Sequence, residues 1–473
     1  MATAPSTFVI IGAAATNNQR QNRGKNGCCC CNPIAAITLI PDIFIFFSAG
    51  MNLALGLGWD YYSAFGPVKH FRFSWFIGVI AGALLALLFR LVISKQFIRV
   101  LAKILILAEG ILFTSAPYDE QALLAGRYLN GIAVGLSTII FLLRASEISP
   151  NHQRGSCLAI EQYCISVGIA IQMIYTSQWA DDTRFPANRL HGILDIIFAA
   201  CAIASAGRFG SIESPVDWLW KGQETAAWEC LVGLQYPNAA DGATKIRLEE
   251  LTEYVRYEAN LSLMDDIKRG ALPLVKMIFF RSMILAFSFS LPLSLILQHS
   301  SDVNYTTWPA IVAGCLRIFG GFIAQMQIDF LGRKSPALFC SIVVGAFVTG
   351  IGGICADFFN LQSVYEMSVV TTLCLLIQFF AGCFAPFTSA FLGEAFPWIL
   401  KPYFMAIVVV MEQIIHIIVI CTFWEFNSGL FLAPGILIIV VSMILAVTMP
   451  ETRNTSLMEA QGRFRNLIYF KAY

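Results

Sequence analysis

Apolar runs of about twenty residues, separated by short polar gaps, fill the chain from position 34 to position 449. A helix rises about 1.5 Å per residue, so roughly 20 apolar residues cross a hydrocarbon core about 30 Å thick. Such runs cover 34–58, 73–93, 99–116, 122–143, 157–179 and 190–210. After a polar gap come 274–297, 308–330, 335–356, 367–391, 403–424 and 429–449. The pattern predicts an all-α membrane protein with twelve transmembrane helices in two bundles of six. The weakest of these runs are 99–116, which contains Lys103 and Glu109, and 73–93, which ends at Arg90. The alternating ten-residue segments of a membrane barrel do not occur. The expected divisions are an N-terminal tail (1–33), a first bundle (34–210), a linker with short amphipathic helices (211–273), a second bundle (274–449) and a C-terminal tail (450–473).

Composition agrees. Hydrophobic residues make up 57% of the 473 and charged residues 13%, where soluble domains carry roughly 45–50% and about 25%. Too little charge is present to cover a water-facing surface. A net charge of +1 supplies no field for nucleic acid. Lys and Arg stay on the cytoplasmic side of a membrane protein. With the N-terminus inside, 25 of them fall in inner segments, Arg281 among them. Lys69, Arg72, Arg127, Arg184 and Arg189 then face outward, and Arg317 lies within a span. Both termini are expected in the cytoplasm, in a multi-pass protein of the plasma membrane. Phe8–Ala15 is too short for a signal peptide and follows no base, so the first span is the expected insertion signal. Cys28, Cys29, Cys30 and Cys31 precede that span, where S-palmitoylation or a plain reduced tail both fit. No pairing of cysteines in outer loops suggests disulfides.

An internal phrase repeats. Glu147-Ile-Ser-Pro150-Asn-His-Gln-Arg154 matches Glu394-Ala-Phe-Pro397-Trp-Ile-Leu-Lys401 as acid, two residues, Pro, three residues, base, at an offset of 247. Proline three residues past the acid favours ending the helix there. The acid is then held at the lip and the base begins the next helix. Like-oriented halves imply a pseudo-two-fold axis along the membrane normal. Charges that pair only when one side is closed bias a rocking equilibrium, because only differential contacts shift it. The other reading is that they anchor helix ends at the headgroups.

Further motifs lie in order along the chain. They are Gly126-Arg127 with Gly131 and Gly135, Ser146-Glu147-Ile148-Ser149-Pro150 with Arg154-Gly155, and Glu213-Ser214-Pro215 with Trp218-Leu219. Asp329-Phe-Leu-Gly332-Arg333-Lys334, Gly393-Glu394-Ala-Phe-Pro397 and Pro450-Glu451-Thr452 follow. On these residues the chain resembles the sugar porter family of the major facilitator superfamily, nearest in pattern to animal facilitative hexose carriers and the insect trehalose-transporter-like branch. The resemblance implies a monomeric, saturable carrier of a sugar-like solute that works by alternating access without ATP. It implies a cytoplasmic gate built from Glu147, Arg154, Glu213, Asp329, Arg333, Glu394, Lys401 and Glu451.

Carried over residue by residue, the family's sugar site changes. Its span-five glutamine corresponds to Gln162. Its span-seven Gln-Gln pair and following Asn become Ser294-Leu295 and Ser300, with Gln298 beside them. Its span-ten Pro-Trp becomes Thr388-Ser389. Its span-eleven Asn-Trp becomes Glu412-Gln413, and the next asparagine becomes His416. Each buried sugar hydroxyl left without a partner costs about 1–3 kcal/mol, so these exchanges put the substrate in question. Substrate-binding candidates are therefore Gln162, Ser294, Gln298, Thr388, Ser389, Glu412, Gln413 and His416.

A charge at the bilayer centre costs about 2.5–3.5 kcal/mol on insertion scales and marks function by default. Glu412 and His416 stand at i and i+4 and share one helix face. They are expected either to share a proton, which allows proton coupling, or to form a structural pair. For Arg317 a structural ion pair is expected. Three sequons occur, and only Asn304 falls outside, as a glycosylation candidate. No phosphate-binding loop or metal-spaced His/Cys cluster is present, so no enzyme, cofactor or metal is expected. The alternatives to a carrier are a non-transporting sensor with a degenerate site and an organic-ion carrier.

Overall fold

The structure, a computed structural model, describes residues 34–60, 69–179, 185–209, 213–234 and 242–468. Cys28–Cys31 lie outside the described residues. Twelve long helical segments are present among them: α1 Ile40–Gly56, α2 Lys69–Val92, α3 Lys95–Ser115, α4 Glu120–Ile148, α5 Arg154–Gln178 and α6 Ala187–Phe209. The second set is α7 Leu263–Val303, α8 Trp308–Gln327, α9 Lys334–Ile354, α10 Val364–Glu394, α11 Lys401–Thr422 and α12 Gly429–Thr448. Ten are long and apolar enough to cross a membrane. α1 is a shorter apolar helix. α3 falls short of the same standard because Lys95, Arg99, Lys103 and Glu109 all lie on it.

Local chemistry sets the helix ends. Ser94, Asp119 and Ser363 cap α3, α4 and α10 by accepting from backbone N–H groups of the first turn, which satisfies donors that a helix start leaves orphaned. Pro41, Pro309 and Pro402 sit in first turns, where no N–H is needed. α4 stops at Ile148, just ahead of Ser149 and Pro150. α4 and α10 extend past the apolar runs at both ends, capped at their starts by Asp119 and Ser363.

The seventh segment departs most from expectation. It starts at Leu263 rather than 274, and it comes in pieces. Leu263–Met277 is α-helical, Ile278–Met283 is a π-helix, Ile284–Ser288 is α again, and the chain restarts at Leu291 after extended Phe289 and Ser290. A π turn inserts one residue and rotates everything after it, and such turns cluster at functional sites. The linker forms Pro215–Trp220, Glu224–Gly233 and Gly242–Ala259.

Helix pairings recur shifted by six. α2 packs on α4 as α8 packs on α10; α3 packs on α4 and α6 as α9 packs on α10 and α12; α1 packs on α5 as α7 packs on α11. Across the middle, α5 meets α8 and α10, and α11 meets α2. The residues from Ile34 onward form one compact unit. Both described chain ends lie at one end of it. There the Thr38 carbonyl accepts from Arg144, and the Phe464 carbonyl accepts from Lys276.

Backbones approach closely where side chains are missing. A Cβ on Gly168 of α5 would sit 2.0 Å from the Phe47 carbonyl oxygen, and one on Gly50 of α1 would sit 2.1 Å from that of Ile165. Without a strong hydrophobic drive between helices in lipid, small residues of this kind carry the packing. Gly168→Ala is expected to cost about 1–3 kcal/mol by overpacking, seen as a lowered thermal unfolding midpoint in detergent. An unchanged midpoint would place α1 and α5 farther apart than described.

Candidate functional site

Midway along the helices, a charged group joins segments of both sets. Arg281, in the π-helical turn of α7, forks onto Glu161 of α5, with Nη2–Oε1 at 2.7 Å and Nη1–Oε2 at 3.0 Å. Its Nε donates to Glu412 Oε2 of α11 at 3.1 Å, and Nη1 reaches Ser389 Oγ of α10 at 3.0 Å. Ser389 in turn donates to Glu161. Arg281 and Glu161 are each 1% exposed. A two-pronged guanidinium–carboxylate pair is among the stronger polar contacts a protein makes, and here one cation serves two carboxylates.

Beside it lies a cavity of about 30 Å³. Gln162, Arg281, Arg317, Glu412, Gln413 and His416 supply its polar walls, and Trp75, Leu285 and Phe289 are among its apolar ones. This volume holds a water or two, against roughly 300–1,000 Å³ for a small-molecule site. The centre is contracted.

Three buried polar atoms on residues of this wall have no hydrogen-bond partner among the described residues: Gln413 Oε1, His416 Nδ1 and Arg317 Nε. Glu412 and His416 do not pair. Glu412 turns to Arg281, and the His416 ring stacks on Phe76, with centroids 5.0 Å apart and planes 27° apart. Arg317 forms no ion pair among the described residues. It donates to Gln378 Oε1 at 2.9 Å and packs over the Phe289 ring at 4.7 Å.

The remaining binding candidates lie elsewhere. Thr388 bonds its own helix at Ala385 O. Ser294 lies beyond the α7 break, outside the cavity wall. Gln298 reaches the opposite end of the molecule, where Nε2 donates to Gly58 O at 2.8 Å. Counting onward from Arg281 misplaces these positions, because the π turn and the break at Phe289–Ser290 change the register.

At the end bearing both described chain ends, contacts between charged and polar groups cross between the helix sets. Arg154 Nη1 meets Glu394 Oε1 at 3.4 Å, and Arg333 pairs with Glu394 Oε2 and with Asp329 Oδ1, the latter at 2.9 Å. Asp329 accepts from Ser156 N at 2.7 Å and from Gly155 N at 3.1 Å. Glu451 accepts from the Arg333 and Lys334 backbone. The two repeated phrases play unlike parts here. Glu394 takes the base of the other phrase, whereas Glu147 Oε1 accepts Trp398 Nε1 at 3.0 Å and Lys401 Nζ donates to Ser146 Oγ at 2.6 Å. Glu213 stands apart, its carboxylate reached by Gln96 at 3.4 Å. Half-buried Arg247 of the linker donates to the Ile148 carbonyl, and desolvation, with Arg154 adding to it, pushes its guanidinium down to about 10.

The far end is also linked. Besides Gln298 to Gly58, Lys69 donates to Cys421 O at 3.1 Å and lies 3.6 Å from the centre of the Trp424 ring. Both ends are joined across the two helix sets, so the conformation is occluded.

A second buried network lies within the first set. Asn52 and Asn130 both donate to Glu109, and Arg127, 0% exposed, donates to the Asn52 and Phe71 carbonyls. His191 Nε2 lies 3.1 Å from Asp195 Oδ2 and 3.9 Å from Glu109 Oε1. These three donor groups converge as a metal triad can. Amide hydrogens already occupy Glu109, however, Asn52 Nδ2 lies 3.2 Å from His191 Nε2, and both Asp195 oxygens lack a hydrogen-bond partner among the described residues. The arrangement suits a proton better than a cation.

Sequence reasoning missed Glu161 and treated Arg281 as an inner-loop base. The available signal was an ionisable residue inside an apolar run, which applies to both.

A family model described as "Sugar (and other) transporter" matches residues 71–464. The galactose-proton symporter of Escherichia coli (strain K12) is 23% identical over 378 residues, covering 77% of this chain and 78% of that protein. Sugar transport protein MST7 of Oryza sativa subsp. japonica is 23% identical over 415 residues, covering 80% and 76%. Among solved structures, the proton:xylose symporter XylE bound to 6-bromo-6-deoxy-D-glucose aligns with a TM-score of 0.73 at 16% identity, covering 91% of this chain and 99% of that one. The fold is that of the major facilitator superfamily.

Removing one partner of a buried ion pair costs about 3–5 kcal/mol. Arg281→Met is expected to lower the thermal midpoint accordingly, and adding Glu161→Gln and Glu412→Gln to recover most of the loss. No loss in the single variant would contradict the central fork.

Proposed function

The chain belongs to the sugar (and other) transporter family, and from that premise we propose that it carries a small polar solute of the sugar class by alternating access through its central cavity. The observation that carries this reading is the set of three unpartnered polar atoms, on Gln413, His416 and Arg317, around one central space. A sugar hydroxyl both donates and accepts, so it suits an amide oxygen, an imidazole nitrogen and a guanidinium alike. Gln162 and Glu412 add further polar contacts. A sensor that had lost its site has no use for unpaired polar groups there.

In this reading residues 34–210 and 274–449 are the two moving bodies and 211–273 joins them. In it Glu394 with Arg154 and Arg333 is the cytoplasmic gate, both termini are cytoplasmic, the far end and Asn304 lie outside, and the protein is a monomer of the plasma membrane. The two symporters named above support proton coupling, and His191–Asp195–Glu109 is the group suited to hold the proton. Arg317, which has no acidic partner among the described residues, favours one second reading, an organic anion as solute.

Uptake into proteoliposomes, across a panel of radiolabelled sugars, polyols and organic anions with and without an inward proton gradient, tests the proposal. Saturable uptake of a neutral sugar or polyol is expected, and Gln413→Ala is expected to reduce it by on the order of tenfold, since an unmade buried hydrogen bond costs about 1–3 kcal/mol. If a proton gradient drives uptake, Asp195→Asn is expected to abolish that drive. Uptake of anions alone, lost in Arg317→Gln, moves the conclusion to the second reading. Uptake no faster than into empty liposomes contradicts both.

A further inference from the structure

A second, larger space of about 550 Å³ opens at the gate end. It lies where three parts of the chain meet: the turn from α2 into α3, the linker helix Pro215–Trp220, and the start of α11 with the turn before it. Its volume is that of a small-molecule site, whereas the central cavity is contracted.

The charge of its wall is one-sided. Arg90, Lys95, Arg99, Arg144 and Lys221 line it, against two acids, Glu213 and Asp217. Lys95 Nζ pairs with Asp217 at 2.5 Å, and Gln96 engages Glu213. Burial, and then the neighbouring Glu147, push the Asp217 carboxyl up from its usual value, against the pull of Lys95. Neither Arg90 nor Lys221 makes an ion pair within 4 Å among the described residues, though Arg90 acts on Asp217 from farther off. Flat aromatic walls complete the space. Trp220 and Trp398 lie with ring centroids 4.5 Å apart, and Trp220 and Tyr403 remain 42% and 38% exposed. Leu91 and Val92, on the same turn as Arg90, are 72% and 86% exposed. In a membrane helix, aliphatic side chains that open face lipid, so the mouth stands at the bilayer edge.

We propose that this cavity binds a phosphate-bearing anion, either the head group of a phosphoinositide or a soluble organic phosphate, and that occupancy holds the gate closed. Guanidinium forks match phosphate oxygens in two-pronged geometry, and an aromatic wall takes a ring or glycerol face. The binding site stands on its own geometry; the effect on the gate rests on the transport reading above. The cavity spans the gate: Lys95 lies 3.9 Å from Glu147, which accepts from Trp398 of the other helix set. An anion held between the α2–α3 bases and the Trp398 wall makes contacts available only when the ends are together. That difference is what shifts a conformational equilibrium.

The test uses the full chain in phosphatidylcholine nanodiscs. One arm adds phosphatidylinositol phosphate to the disc and reads retention by native mass spectrometry. A second adds soluble inositol trisphosphate and reads binding by calorimetry. Phosphatidylserine serves as the anionic lipid without a phosphomonoester. Retention above the phosphatidylserine level in the first arm, with or without soluble binding, identifies a lipid head group, and soluble binding without that retention identifies a free phosphate; either supports the site. The double variant Arg90→Gln, Lys221→Gln leaves the gate pairs in place and is expected to weaken binding by on the order of tenfold or more, since bonds to charged groups contribute about 1.5–3 kcal/mol each. Its thermal midpoint is expected to stay that of the parent chain. In proteoliposomes the bound anion is expected to slow uptake by the parent chain and not by the variant. Binding is read without transport, so a chain that moves no solute still decides it. Retention equal to that of phosphatidylserine with no soluble binding, or binding unchanged in the variant, overturns the site. Binding without slowed uptake in an active chain overturns the effect on the gate.

Discussion

One guanidinium holds the centre together. Arg281 is buried, its charge answered by Glu161 on one helix set and by Glu412 on its own. Desolvating such ions is expensive, and the cost is offset only by near-complete pairing. The arrangement therefore fixes three helices at one level. It also leaves a set with two carboxylates and one cation beside a space on whose wall three further polar atoms have no partner among the described residues. A solute entering there meets groups already oriented by the fork, so less ordering is left for binding to do.

The ends add a second constraint. The terminus-bearing end concentrates charge across the divide, with Arg154, Arg333, Asp329 and Glu394 in one network. The far end uses weaker links, amide to carbonyl and a lysine over a tryptophan ring. The Arg154–Glu394 pair and the Gly155 and Ser156 bonds to Asp329 must be given up when that end opens, while the far end loses less. The resting bias of such a molecule lies toward closure at the charged end, and anything that binds across that divide strengthens it.

Much of this was legible from the amino-acid pattern. Twelve apolar runs became twelve helical segments, and the repeated acid–Pro–base phrase led to residues that meet across the two sets. What stayed hidden has physical reasons. A helix apolar on every side gives no clue to which face an ionisable residue presents, so Glu161 drew no notice and the burial of Arg127 was not foreseen. Counting bases to orient spans treats every Arg as a loop marker, which took Arg281 out of the membrane centre. The π turn at Ile278–Met283 and the break before Leu291 are not written in hydropathy, and they moved Ser294 and Gln298 away from the cavity. Spacing of four put Glu412 and His416 on one face, yet a stronger partner for one and an aromatic stack for the other separated them.

The central claim is that two bodies, pinned midway and clasped by charge at one end, exchange which end is open. Pulsed electron spin resonance between labels at His152 and Arg453, read in the parent chain and in Glu394→Gln, tests it most directly. The account predicts a single short distance in the parent chain and a second, longer population once Glu394 no longer holds Arg154 and Arg333. An unmoved single distance in the variant, with the protein still folded, would contradict it.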